Sequence, residues 1–172
     1  MNTEENKQII YQEEQRLRQI WIWIVVLFVT GLAWYGSYQQ LILGTPFGSN
    51  PAPDWMMVVI WIAFGIGFPL IFIVFRLRTE VRPDGVYLKF APVQKSYKIF
   101  PAEEIDRAEV EKYKPIREYG GWGWRFGKKG KAYTITGRRG VVLHFKNGSQ
   151  ILIGTKKPHA LLKAVQNIIS RP

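Results

Sequence analysis

The chain has 172 residues, a formal net charge of +11 and no cysteine. Without cysteine there is no disulfide framework, no thiolate metal site and no cysteine nucleophile. The mean hydropathy of -0.08 would suit a soluble globule, but residues 20–75 hold a single charged side chain, Asp54, so the average hides two unlike parts and excludes a plain soluble globule.

Residues 1–19 read as a polar cytoplasmic helix, with Ile9, Ile10 and Leu17 giving it a weak apolar side. An apolar segment then runs from Ile20 to Leu43, and a second from Trp55 to Phe75. At about 1.5 Å per residue each reaches roughly 30 Å, the thickness of a hydrocarbon core. Both are expected to cross a membrane, within a helical hairpin over residues 20–78. The first is not expected to be a signal peptide: its flank is long and carries Glu4, Glu5, Glu13 and Glu14, and no small-residue cleavage site follows.

Lysine and arginine set the expected orientation. Lys7, Arg16 and Arg18 precede the first span, and Arg76, Arg78, Arg82, Lys89 and Lys95 follow the second. The connecting loop has none, so both termini are expected in the cytoplasm of a two-span cell-membrane protein. Pro46, Pro51 and Pro53 with Gly44 and Gly48 make that loop a non-helical reversal. Trp21 and Trp23 at the inner end, with Trp34, Tyr35, Tyr38 and Trp55 at the outer end, suit interfacial belts. No ionisable group lies inside either span, which argues against a transporter. Ala33 and Ser37, like Ala63 and Gly67, are four residues apart and let helices approach closely. They pack the hairpin on itself, or meet a second copy or a partner membrane protein. Gly65, Gly67 and Pro69 are expected to bend the second helix.

Residues 79–172 carry 19 Lys+Arg against 8 Asp+Glu and hold the whole charge excess. The Pro83-Asp84-Gly85 turn leads into an alternating strand, Val86 to Phe90. Further strands are expected at 96–100, 108–113, 124–126, 132–136, 141–146 and 150–154. Asn147-Gly148 is the strongest hairpin signal, since both residues tolerate positive φ. Pro158 opens a helix with Leu161, Leu162, Val165, Ile168 and Ile169 on one side. About seven antiparallel strands and one amphipathic helix must hide their edges by closing or stacking. The order fits a small β-barrel of the pleckstrin-homology-like kind, capped by the C-terminal helix. A two-layer α+β sheet with one helix is the other arrangement the pattern permits. The expected class is therefore an α+β membrane protein, a two-helix hairpin followed by that domain.

The run Tyr113-Lys-Pro115-Ile-Arg117-Glu-Tyr119-Gly120-Gly121-Trp122-Gly123-Trp124-Arg125 resembles the signature of uncharacterised prokaryotic membrane proteins with a pleckstrin-homology-like domain. Ala132-Tyr133, Gly140-Val141, Asn147-Gly148, Ile153-Gly154-Thr155 and the lead-in Gln15 to Trp21 extend the resemblance over most of the chain. It implies a two-helix anchor with such a domain on the cytoplasmic side. It brings no catalytic residue and no ligand, because that family is a domain of unknown function.

Chemistry concentrates in residues 112–139. Arg117, Arg125, Lys128, Lys129, Lys131, Arg138 and Arg139 are interleaved with Trp122 and Trp124, and only Glu118 opposes them. Beside a membrane, such a segment adheres to anionic headgroups, each cation contributing about 1 kcal/mol, while tryptophan enters the interface. The plainer reading is a solvated basic face with the tryptophans packed inward. Nucleic acid is not the expected partner, since no recognition module accompanies the basic and aromatic residues. Phosphate-loop patterns fail: the stretch around Lys128-Lys129 lacks the required Gly and Ser/Thr spacing. The first hairpin offers only Arg82 and Lys89, which speaks against specific inositide recognition. His144 and His159 are fifteen positions apart with no acidic or thiol ligands beside them, so no metal or cofactor is expected. Glu103, Glu104 and Asp106 read as a solvated turn rather than an acid–base pair. The expected function is a non-enzymatic binding or scaffold module at the inner membrane face. The alternatives are an accessory subunit of a larger membrane complex and, more remotely, an enzyme with an unrecognised site.

Overall fold

In the computed structural model, which describes residues 8–127 and 130–170, the hydropathy split becomes two folded units. One comprises the chain up to Leu17 and from Phe75 onward, and the other is Arg18–Val74.

The smaller unit is a helical hairpin. Helix α1 (Ile20–Ser37) continues as a π-helical turn, Tyr38–Ile42. The return stretch is α2 (Asp54–Ile60), a π-helical segment Trp61–Gly67, and α3 (Phe68–Val74). The two continuous stretches, Ile20–Ile42 and Asp54–Val74, are long and apolar enough to cross a membrane. The sequence anticipates a bend at Pro69, and a wider helical segment lies just before it. Pro69 has no N–H, so the Gly65 carbonyl four residues earlier loses its ordinary donor. The Trp34 indole donates to that carbonyl at 3.1 Å, and the Thr30 hydroxyl to the Phe64 carbonyl at 3.3 Å.

The larger unit contains two sheets, in the order β1 (Tyr11–Arg16), β2 (Arg76–Arg82), β3 (Gly85–Ala91), β4 (Lys98–Pro101), and β5 (Ile105–Lys112), β8 (Arg139–Phe145), β9 (Gln150–Gly154), β7 (Gly130–Thr134), β6 (Gly123–Gly127). All neighbours are antiparallel except β7 and β9. Three expectations need correction here. Residues 11–16 form a strand, not a helix: Tyr11, Glu13 and Gln15 turn to one face and Gln12, Glu14 and Arg16 to the other, and β2 supplies the ladder. The domain boundary at residue 79 cuts through β2, because Arg76 and Arg78 already alternate with core residues Leu77 and Thr79. The sheets do not close into a barrel. Strand β4 is four residues long and ends at Pro101, the short helical turn Ala102–Glu104 redirects the chain, and the β6–β7 hairpin occupies the second edge of β9.

The core lies between the sheets and is sealed by α5 (Pro158–Ile169), which buries Leu161, Ala164, Val165 and Ile168. The outer face of the five-stranded sheet has its own small cluster, Ala132, Val142 and Leu152 under Tyr113 and Tyr119. Helix α4 (Pro115–Tyr119) places Tyr119 there. A side chain at Gly127 would meet the Glu118 carbonyl and the Tyr119 ring, both at 2.5 Å, so only glycine fits.

Candidate functional site

The basic aromatic segment becomes α4 and the β6–β7 hairpin, with β6 at the sheet edge. Arg117 is exposed on α4. Trp122 is half-buried and its indole donates to the Gly137 carbonyl at 3.2 Å, while Arg125 Nε donates to the Trp122 carbonyl at 3.3 Å. Trp124 and Tyr133 are register partners whose rings stack at 6.2 Å and 16°. Phe126, opposite Lys131 in the ladder, is 67% exposed, and the Lys131 ammonium lies 5.5 Å from its ring centre. Arg138 and Arg139 are exposed beyond the other end of the hairpin. Lys128 and Lys129 lie outside the described residues. The fold thus gathers Trp124, Phe126 and Lys131 on one side of the β6–β7 ribbon and sets Arg138 and Arg139 apart from them. Phe126 was not among the residues singled out as binding. Its alternation with Trp124 across Arg125 was the available signal, since residues i and i+2 of a strand share a face.

Burial raises the Tyr133 phenol above its ordinary value, and the Gln94 and Trp124 side chains at its hydroxyl act in the opposite sense. Gln94 itself accepts from the Phe90 N–H at 3.0 Å. It belongs to the loop after β3, whose last residue, Ala91, pairs with Arg76.

A second polar constellation covers the outer face of the four-stranded sheet. Glu80 is only 3% exposed there. It accepts from the Tyr97 hydroxyl at 2.6 Å and from Arg82 Nη2 at 2.6 Å. Burial alone would push its carboxyl up, but these bonds outweigh that and hold it below the usual carboxylate range. Arg78 donates to Glu14 at 2.9 Å, and Arg82 lies 4.4 Å over the Tyr87 ring. Hydrogen bonds from Arg16 and Arg78 likewise keep Glu14 low. This network of ion pairs and one tyrosine hydrogen bond joins β1, β2 and the 92–97 loop.

The inner face of β1 fastens the start of α5. Glu13 accepts from the Thr155 hydroxyl at 2.5 Å, the Lys156 N–H at 2.9 Å and the Tyr11 hydroxyl at 2.6 Å. Gln15 donates to the Gly154 carbonyl at 2.6 Å. Sequence reasoning missed both contacts, because their partners are some 140 positions away.

In the helical unit, Ala33 and Ser37 are buried, whereas Ala63 is exposed and Gly67 half-buried. Met57 and Gly65 are the buried residues of the return stretch. The second helix therefore turns Gly65, not Ala63, to its partner, and a side chain there would meet Trp61 at 3.0 Å and Trp34 at 3.1 Å.

His144 Nε2 lies 2.7 Å from the Glu109 carboxylate, which accepts from the ring N–H across β5 and β8. Among the described residues no cluster of three metal-ligating side chains occurs. Glu103, Glu104 and Asp106 are exposed at their turn.

These features define an α+β protein of two units, in which an apolar helical hairpin interrupts a β-sheet between neighbouring strands. The chain belongs to a family of unknown function, DUF6141, whose model matches residues 1–171. A search of the curated proteins found no match.

Proposed function

We propose that the protein is a two-span membrane protein whose β-sheet unit, pleckstrin-homology-like in its strand–helix order, is a non-enzymatic binding module at the cytoplasmic face. It contacts anionic headgroups through the β6–β7 ribbon. The observation that carries this reading is the aromatic edge: Phe126 at 67% and Trp124 at 36% exposure on an unpaired strand edge, with Lys131 and Arg125 beside them. Exposed aromatic side chains among cations suit the boundary between headgroup and acyl chain, where ring and charge are each solvated by their own phase.

A further observation supports it. Arg16 and Arg76 are register partners, so both ends of the apolar hairpin leave from adjacent strand positions. Two spans joined to one sheet edge must return to the side they left, which agrees with the lysine and arginine count.

The test is hydrogen exchange on the full chain in nanodiscs. In phosphatidylglycerol, residues 122–127 should exchange more slowly than in phosphatidylcholine. Phe126→Asp and Arg125→Glu should each remove much of that difference. Equal exchange in the two lipids would overturn the lipid reading.

A further inference from the structure

The seam left between the two sheets is a groove of about 620 Å³. Its floor is Phe100, Phe145 and Ile151, core side chains that are each only 6–7% exposed. Lys98 and Lys131 line it together with Glu104 and the turn at Asn147, Gly148 and Ser149. The Lys98 ammonium lies 5.6 Å from the Phe100 ring centre. Among the described residues, no ion pair engages Lys98 or Lys131.

One bank of this groove is a strand with an open edge. Strand β4 pairs only with β3. In an antiparallel edge strand, half of the N–H and C=O groups point away from the partner. Beyond the β3 ladder, no backbone hydrogen bond among the described residues reaches Lys98, Ile99 or Phe100. Three features thus coincide: an open strand edge, an apolar floor and two cations with no ion-pair partner among the described residues. A headgroup phosphate would use only the cations. An extended peptide would use all three, since strand addition satisfies backbone groups while alternate side chains fill pockets.

We propose that the seam receives an extended acidic segment of a partner protein, laid along β4 as an additional strand. Its apolar side chains rest on Phe100, Phe145 and Ile151, and its carboxylates meet Lys98 and Lys131. The seam shares Lys131 with the lipid contact, but Lys98 and β4 belong to the seam alone, so a change at Lys98 separates the two readings.

The test places the full chain in phosphatidylcholine nanodiscs, where anionic lipid cannot compete. The probe is a pool of short fluorescent peptides in which glutamate alternates with valine, leucine or phenylalanine. At least one member should bind and slow amide exchange at residues 98–101. Lys98→Glu should weaken it about tenfold or more, the loss of one charge-assisted contact, and Lys98→Gln should do so by less. Replacing alternate probe residues with proline, which cannot donate to a ladder, should abolish binding. The proposal is overturned by no binding at about 1 mM, by equal binding of a lysine-for-glutamate pool, or by indifference to Lys98→Glu. It is also overturned if residues 98–101 gain protection from phosphatidylglycerol and not from peptide, which would assign the seam to lipid phosphate.

Discussion

At the residue scale, Glu80 is the side chain whose environment says most about the larger unit. A carboxylate this buried persists because Tyr97 and Arg82 donate to it. Its folded value lies below the ordinary range, so its contribution is present above about pH 4 and is lost as pH falls through the folded value. Glu80→Gln should lower stability by about 1–3 kcal/mol at pH 7 and flatten the acid limb of the profile. Thermal melts of the full chain in detergent from pH 7 down to about pH 2, below the lowered folded value, check this; parallel losses in wild type and variant would refute it. None of this was legible in the sequence. Glu80 sits in the run Arg76 to Arg82, where alternating charges look like a solvated linker. They are one face of a strand whose other face carries Leu77, Thr79 and Val81. Pro69 was legible, since a missing N–H has a fixed consequence four residues back. That a tryptophan on the other helix would take up the freed carbonyl was not.

At the element scale, β1 and the β6–β7 ribbon differ in how far local pattern foretold them. The ribbon was anticipated because its glycines and aromatics punctuate the chain. Its parallel seat on β9 was not, because pairing across an intervening strand leaves no local trace. Strand β1 reads in sequence as a helix. Its run of glutamate, glutamine and arginine favours helix by intrinsic propensity, and only the open edge of β2 decides otherwise. Glu13 gives the strand its second attachment, to the segment leading into α5. Glu13→Ala should therefore cost about 1–3 kcal/mol and quicken amide exchange at residues 155–160. Unchanged exchange there would show that α5 holds its first turn without β1. At Gly127, alanine should cost roughly 1–3 kcal/mol by displacing Tyr119, read by the same melts.

At the scale of the whole molecule, the sequence division into apolar hairpin and basic domain survives with shifted borders. The terminal strand–helix order was visible because Asn147-Gly148 and the α5 periodicity are strong local signals. Barrel closure was a topological guess, and the short β4 defeated it. The two units are separable in a particular way. Since Arg16 pairs with Arg76, residues 17–75 stand where an ordinary sheet would have a hairpin turn. Replacing residues 18–74 with Asn-Gly should give a soluble, folded unit with dispersed amide resonances. A fragment starting at residue 79 should not fold, as it lacks β1 and half of β2. The reverse result would mean that β1 is dispensable. The same register bears on biosynthesis. Strand β1 leaves the ribosome first, yet it cannot pair until both helices and then β2 have been made. If the hairpin spans a membrane, as proposed above, and failed to return to its starting side, β2 would be stranded across the bilayer from β1, and the four-stranded sheet could not form. On that reading, completion of the domain is a checkpoint on insertion, and a chain with a misplaced second helix would expose an unfinished sheet to quality control.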